Sequence, residues 1–453
     1  LQYPQNHTPS AFFILSCYGK YNFDMKKISS VFVLLLLSIV TLAQKALNVI
    51  SIKETERIER TLSADDMQGR RTFTPGIEKA ANFIASEFEK TGLQKWNNGN
   101  SYLQSFSMVR TKTISQKILV NGMELDAKKA IVVSPSKSFV ADNNAGYDLV
   151  SITAKMNFPT EARKALGAKK NTVVLVDTAH ANMFGRFAQM RSQLYSGQPN
   201  VIMLLVDKAP SSFRVELSQE LTEMPLANVV GIIPGKSKAN EYVIFSGHYD
   251  HLGINSKKME NNDSIYNGAN DDAAGTTAMI MLAKYFKKLN DNERTLVFAA
   301  FTAEEIGGFG ATYFSKQFDP AQVMAMFNIE MIGTESKWGK NSAYITGFEK
   351  TNMGEILQNN LKGTDFTFHP DPYPTQQLFY RSDNATLARL GVPAHTISTS
   401  KMDSEPNYHK ASDEIGTLDM QNMAAIIRAI ALSSKGIVSG KETPSRVDVS
   451  ALR

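Results

Sequence analysis

Five short segments of this chain carry side chains able to do chemistry together. Ser246-Gly247-His248-Tyr249-Asp250-His251 follows the apolar run EYVIF, and His248 offers an imidazole nitrogen to a metal. Asp250, two residues on, is placed to accept the other ring N–H and fix the tautomer. The segment NGANDDAAG (267–275) sets Asp271 and Asp272 just before a helical pattern. They are either simple N-terminal caps or ligands that the small residues around them allow a bound group to approach. Thr302-Ala303-Glu304-Glu305 ends the very apolar run RTLVFAAF. Two adjacent carboxylates there repel one another and lose hydration unless cations or protons compensate. A divalent metal lets one ligate while its neighbour takes a proton from water. Glu330 interrupts the apolar run MAMFNIEMIG, and His409 is followed four residues on by Asp413. Each segment taken singly has a plain structural explanation. Jointly they supply two histidines and at least four carboxylates, a donor set that suits zinc or a similar divalent ion. His180, His251, His369 and His395 have no comparable setting and read as ordinary surface or core residues.

The elements that must position these groups form a regular alternation from residue 226 onward. ANVVGIIPG and EYVIFSG read as strands, Ala273 to Leu289 as a helix, and RTLVFAAFTA, MAMFNIEMIG, SAYITG and PAHTIST as further strands. Helical patterns fall near 351–361, near 383–390 and over 417–434. Near-continuous apolar strands with amphipathic helices predict an α/β fold, a mixed, mainly parallel sheet covered by helices on both faces. In such sheets chemistry gathers at the carboxyl ends of the strands. Residues 45–95 read as helical, with Gly92 as a stop, and Gly69-Arg70-Arg71 between the two helical stretches reads as a polar loop. Residues 102–225 alternate short β-rich runs with polar loops and one helical piece near 182–194. They predict an inserted β-rich domain, either a lid that shapes the substrate site or a passive structural insertion.

The chain has 453 residues, 43% hydrophobic and 21% charged, with a formal net charge of +5. This is globular composition with no dense basic run, so nucleic-acid binding has no support. Residues 25–43 have the three-part pattern of a secretory signal peptide: Lys26 and Lys27, the apolar stretch Val31 to Leu42, and a small-residue cleavage site ending at Ala43. Residues 1–24 follow no targeting logic and read as upstream sequence outside the working protein. Cleavage after Ala43 removes the one cysteine, Cys17, and with it disulfide and thiolate chemistry. The mature chain is expected outside the cytoplasm, periplasmic or secreted, without stable membrane insertion. It then comprises 44–101 and 226–453 as one domain, interrupted by 102–225.

The order SGHYDH, NGANDDAAG, TAEE, NIEMIG and YHKASD resembles the M28 family of co-catalytic zinc peptidases. The likeness covers about 226–434 and the helical segment 45–95, and many relatives carry a protease-associated insertion where 102–225 stands. The resemblance implies two zinc ions bridged by Asp271. His248 and Glu330 would complete the first site, Glu305 and His409 the second. Glu304 would be the general base and Asp250 the partner behind His248. The substrate implied is a peptide, and the activity an aminopeptidase that removes N-terminal residues. Two positions depart from the usual pattern. Glu330 stands where the family has Asp, adding a methylene that shifts the expected place of the first ion, and Asn384 stands where many relatives have His. Tyr380 lies near a place where relatives contact substrate. Dipeptidase or carboxypeptidase specificity stays open. So do a one-zinc glutaminyl cyclase and a non-catalytic binding module on the same fold.

Overall fold

The computed structural model describes residues 46–188 and 193–452; the expected leader and the residues before it lie outside them. Helix α1 (Ile52–Leu62) is capped by Ser51, whose hydroxyl accepts the Glu54 N–H at 3.2 Å, and it buries Ile58 and Leu62. Helix α2 (Pro75–Thr91) has its proline in the first turn and ends at Gly92, φ 72°. Both are the terminus signals that the sequence offers.

The chain then leaves along β1 (Leu103–Val120) and returns along β6 (Phe213–Ile233), which pair antiparallel over nearly their whole length with one bulge at Ser218/Gln219. Between them lie β2 (Ala130–Val133), β3 (Asp148–Ile152), α3 (Phe158–Leu166), β4 (Thr172–Val176), α4 (Ala181–Ala188) and β5 (Val201–Leu205). The four strands form a separate sheet in the order β2-β5-β4-β3, with β4 parallel to both its neighbours. Phe158, Ala162 and Phe184 from the two helices join Val174, Val176 and Met203 in one apolar cluster. The insertion is therefore a small α/β layer, with more helix than its sequence predicts. Helix α3 is the unexpected one. Its start signal is short, Asn157 accepting the Thr160 N–H at 3.1 Å and Pro159 in the first turn. The expected boundary at 225/226 falls inside the single strand β6.

The remaining elements are β7 (Lys238–His248), α5 (Ala274–Leu289), β8 (Arg294–Phe301), α6 (Phe309–Ser315), β9 (Val323–Ile329), β10 (Ser342–Ile345), α7 (Met353–Asn360), β11 (Thr367–Pro370), α8 (Asn384–Ala388), β12 (Ala394–Ser398) and α9 (Met420–Ser433). The main sheet runs β11-β10-β12-β9-β7-β8-β6-β1. Its four central strands β12, β9, β7 and β8 are parallel, and β10 and β6 flank them antiparallel. This is the mixed, mainly parallel sheet expected. Phe245 on β7 stacks on Phe298 of β8 and Phe327 of β9, at 5.6 and 4.9 Å between ring centres, tying the central strands together. All eight residues of β8 are buried, as a strand covered on both faces should be. Helix α5 starts against the carboxyl ends of β7 and β9. A Cβ on Gly275 would fall 2.0 Å from the Ile329 carbonyl oxygen, so only glycine lets the helix come this close.

Candidate metal centre

Every side chain singled out for chemistry sits beyond the carboxyl end of a central parallel strand. His248 ends β7, with Asp250 and His251 just after it. Glu304 and Glu305 follow β8, Glu330 follows β9, and His409 lies on the loop after β12. Asp271 comes from the turn that opens α5 and stands in the middle. Its two oxygens face two different imidazoles: His248 Nε2 is 3.3 Å from Oδ1, and His409 Nε2 is 3.3 Å from Oδ2. His409 Nε2 also lies 3.3 Å from Glu305 Oε2. His248, Asp271 and Glu330 can each direct one ligand atom to a common point, with all three atoms within 4.8 Å of one another. His251, Asp271 and Glu305 form a second such group, sharing the aspartate.

The donor chemistry fits a cation. His248 Nδ1 lies 3.1 Å from the Asp250 main-chain carbonyl, so that nitrogen carries the hydrogen and donates it. His248 Nε2 is then a bare lone pair, buried, without a hydrogen-bond partner, and pointed at a carboxylate oxygen. Two acceptors facing each other at that distance repel unless a positive charge lies between them. Glu330 Oε2 and His251 Nε2 are likewise buried without partners. In the absence of a metal, protons are the only compensation. The Asp271 and Glu305 carboxylates raise the His409 pKa to about 10. Burial works against a charge on His248, yet the neighbouring carboxylates, Asp271 foremost, hold its pKa well above the usual value. Burial pushes Glu304 and Glu330 up, and pushes Asp383, both of whose oxygens lack partners, up to about 8. So many buried acids in one place call for a multivalent cation.

Three buried charged residues fix the loops that bear these groups. Asp272 accepts the N–H of His248 at 3.1 Å, of Gly275 at 3.0 Å and of Met331 at 3.0 Å, pinning β7, α5 and the end of β9 to one point. Asp413 accepts the N–H groups of Asn270 and Asp271 at 2.8 and 3.0 Å, which joins the His409 loop to the Asp271 turn. Arg70 is fully buried. Its guanidinium donates to the carbonyls of Leu62, Tyr249, Asn267 and Gly268.

Two expectations need correcting. The ring N–H of His248 goes to the carbonyl of Asp250, not to its carboxylate, whose Oδ1 is 3.8 Å away. That carboxylate instead accepts the N–H groups of Glu304 and Glu305 at 3.0 and 3.3 Å, because it points toward the end of β8. His251 is no ordinary core residue. It is buried, and Nδ1 lies 2.7 Å from Glu305 Oε1. Arg70, read as part of a polar loop, is a buried anchor. Spacing gives no signal for Arg70, but the second histidine of HYDH is one that a closer reading of the strand end would have kept. Tyr380 packs on the core beside Phe379, and Leu378 and Arg381 line the site cavity in its place. His180, His369 and His395 are structural, bonded to the Thr153 carbonyl, stacked on Trp338, and held by Thr346 and Thr351 respectively.

Residues 228–433 match the family model described as peptidase family M28. The chain carries a peptidase family M28 domain. A probable leucine aminopeptidase of Trichophyton verrucosum is 30% identical over 206 residues, 43% of this chain and 53% of the relative. An aminopeptidase of Bacillus subtilis is 28% identical over 221 residues, covering 45% of this chain and 42% of the relative. The chain thus spans about half the length of the curated relatives it matches. Among solved structures, an aminopeptidase from an Aneurinibacillus species superposes with TM-score 0.52 at 14% identity, covering 91% of this chain and 98% of that one. A zinc aminopeptidase from Bacillus subtilis gives 0.51 at 15% identity, over 88% and 99%. At such identities the likeness speaks for the fold. The M28 domain contains every residue of the two ligand groups.

Proposed function

We propose that this protein is an exported zinc-dependent peptidase that removes N-terminal residues from peptides. The observation that carries the reading is the arrangement about Asp271: one carboxylate with an imidazole at 3.3 Å from each of its oxygens. One of those imidazoles presents a bare nitrogen, and further carboxylates stand on either side. In this reading Asp271 bridges two zinc ions, His248 and Glu330 complete one site, and Glu305 and His409 complete the other with His251 behind Glu305. The leucine aminopeptidase and zinc aminopeptidase relatives support the same assignment. Zinc, when bound, lowers the pKa of water and polarises a carbonyl oxygen.

The chain's own groups do the rest. Glu304, held by its N–H on Asp250, takes the proton of the attacking water and returns it to the leaving amine. The acid-walled cavity beside it, about 60 Å³ and lined by Tyr344, Leu378, Met402 and Tyr408 among others, receives the first side chain. The free ammonium of the substrate meets the carboxylates at its mouth. A cavity so small admits one residue, which supports an exopeptidase. Residues 44–101 and 226–453 make the catalytic domain in this reading, and 102–225 an inserted domain. Tyr195 of the insertion donates to the Phe309 carbonyl at 2.7 Å, only four residues beyond Glu305, so the insertion braces that loop.

Glu304→Gln tests the assignment. It should keep its zinc and lose about 10²- to 10⁴-fold in kcat on leucine amide, the range for a lost general base. Unchanged turnover would remove Glu304 from the mechanism. Cyclisation of N-terminal glutamine peptides without amide hydrolysis would replace the peptidase by the cyclase.

A further inference from the structure

A second cavity of about 610 Å³ opens beyond Glu305 and His409, the only residues it shares with the small one. The two differ in charge. The small cavity is walled by Asp271, Glu304, Glu305 and Glu330, with one exposed cation, Arg381, whose guanidinium reaches Gln376 at 3.3 Å. The large cavity has Arg71 and Lys258 in its wall, with Glu260 as the one acid outside the metal centre. Both cations bond only through the main chain: the Arg71 carbonyl accepts from Thr74, and the Lys258 carbonyl from the Tyr266 hydroxyl. Among the described residues their charged ends have no partner.

Arg71 is also placed with care. It follows Arg70, whose side chain is fixed to four carbonyls. The stem of Arg71 lies against Gly253, where a Cβ would fall 2.5 Å from the Arg71 Cβ. A larger residue at 253 would push the guanidinium off the cavity.

We propose that the large cavity receives the part of a peptide beyond the cleaved bond, and that Arg71 and Lys258 recognise its terminal carboxylate. The inference rests on the peptidase reading and narrows it to short peptides with a free C-terminus. Such a peptide is itself dipolar, an ammonium at one end and a carboxylate at the other. The acid-walled small cavity and the cationic large one match that polarity across the metal centre, and a guanidinium meets a carboxylate with two parallel hydrogen bonds.

The test compares leucylglycylglycine with its C-terminal amide, using leucine amide as the substrate that cannot reach the large cavity. The wild type should prefer the free acid by about tenfold in kcat/KM, mostly through KM, the size of one charge-assisted hydrogen bond. In Arg71→Ala and in Lys258→Ala the preference should shrink while leucine amide turnover stays unchanged. Lys258 is exposed on a loop, so its variant keeps the test valid should Arg71→Ala disturb folding. Equal rates on acid and amide in the wild type would overturn the proposal while leaving the peptidase reading intact. So would a loss in both variants shared by all three substrates. Cleavage of N-acetylated leucylglycylglycine at its C-terminal bond would reverse the direction of binding and overturn it as well. No hydrolysis of any of them by zinc-loaded protein would instead remove the peptidase reading beneath it.

Discussion

At the scale of single residues, Asp271 decides the chemistry. Its main-chain N–H is tied to Asp413, its carboxylate lies between two imidazoles, and His248 and His409 hold its own pKa down in spite of burial. It therefore stays ionised and ready for metal, whereas His409 does not. With its pKa raised to about 10, His409 carries a proton at neutral pH that an incoming ion has to displace. The sign follows directly. Zinc affinity should climb as pH rises from 7 toward 10, by about tenfold per unit for each proton displaced, and binding near neutral pH should release protons. Competition with a chelator across this range measures it. A flat profile would show that His409 is not displaced by the ion. The sequence displays His248, Asp271, Glu305, Glu330 and His409 plainly, because each stands at the end of an apolar run. It hides Arg70, since one more charge in a polar stretch says nothing of burial.

At the scale of elements, the site is a meeting of loop ends that depend on one another. Arg70, from the segment between α1 and α2, holds the carbonyls of Tyr249, Asn267 and Gly268, and so couples the turn after β7 to the turn before α5. Arg70→Ala leaves those acceptors buried without donors. It should cost on the order of 3 kcal/mol, given about 1–3 kcal/mol for each buried group left unsatisfied. It should also weaken zinc binding, because the ligand turns lose their common anchor. Denaturant unfolding followed alongside zinc titration checks both. Stability lost with zinc affinity intact would make Arg70 a fold residue alone. The boundaries of α2, α5 and α9 were legible from a proline, a glycine stop and an apolar period. Helix α3 was not, because its nine residues hold only two turns of pattern beside more conspicuous strands.

At the scale of the whole molecule, the sheet does what its sequence predicts: four apolar parallel strands deliver their carboxyl ends to one place, and the chemistry gathers there. Among the described residues no helix is long and apolar enough to cross a membrane. The insertion was legible as a separate composition but not as an architecture, because parallel pairing of β3, β4 and β5 is set by contacts far apart in the chain. The small cavity, the large cavity and the metal centre between them make a passage with an acidic end and a basic end, which local sequence cannot reveal. The central claim is that metal held about Asp271 is what cleaves peptides. The most direct measurement is turnover of leucine amide by chelator-stripped protein as zinc is returned. The account predicts no turnover at first, then recovery that levels off at two zinc ions per chain. Full turnover before any zinc is added would contradict it.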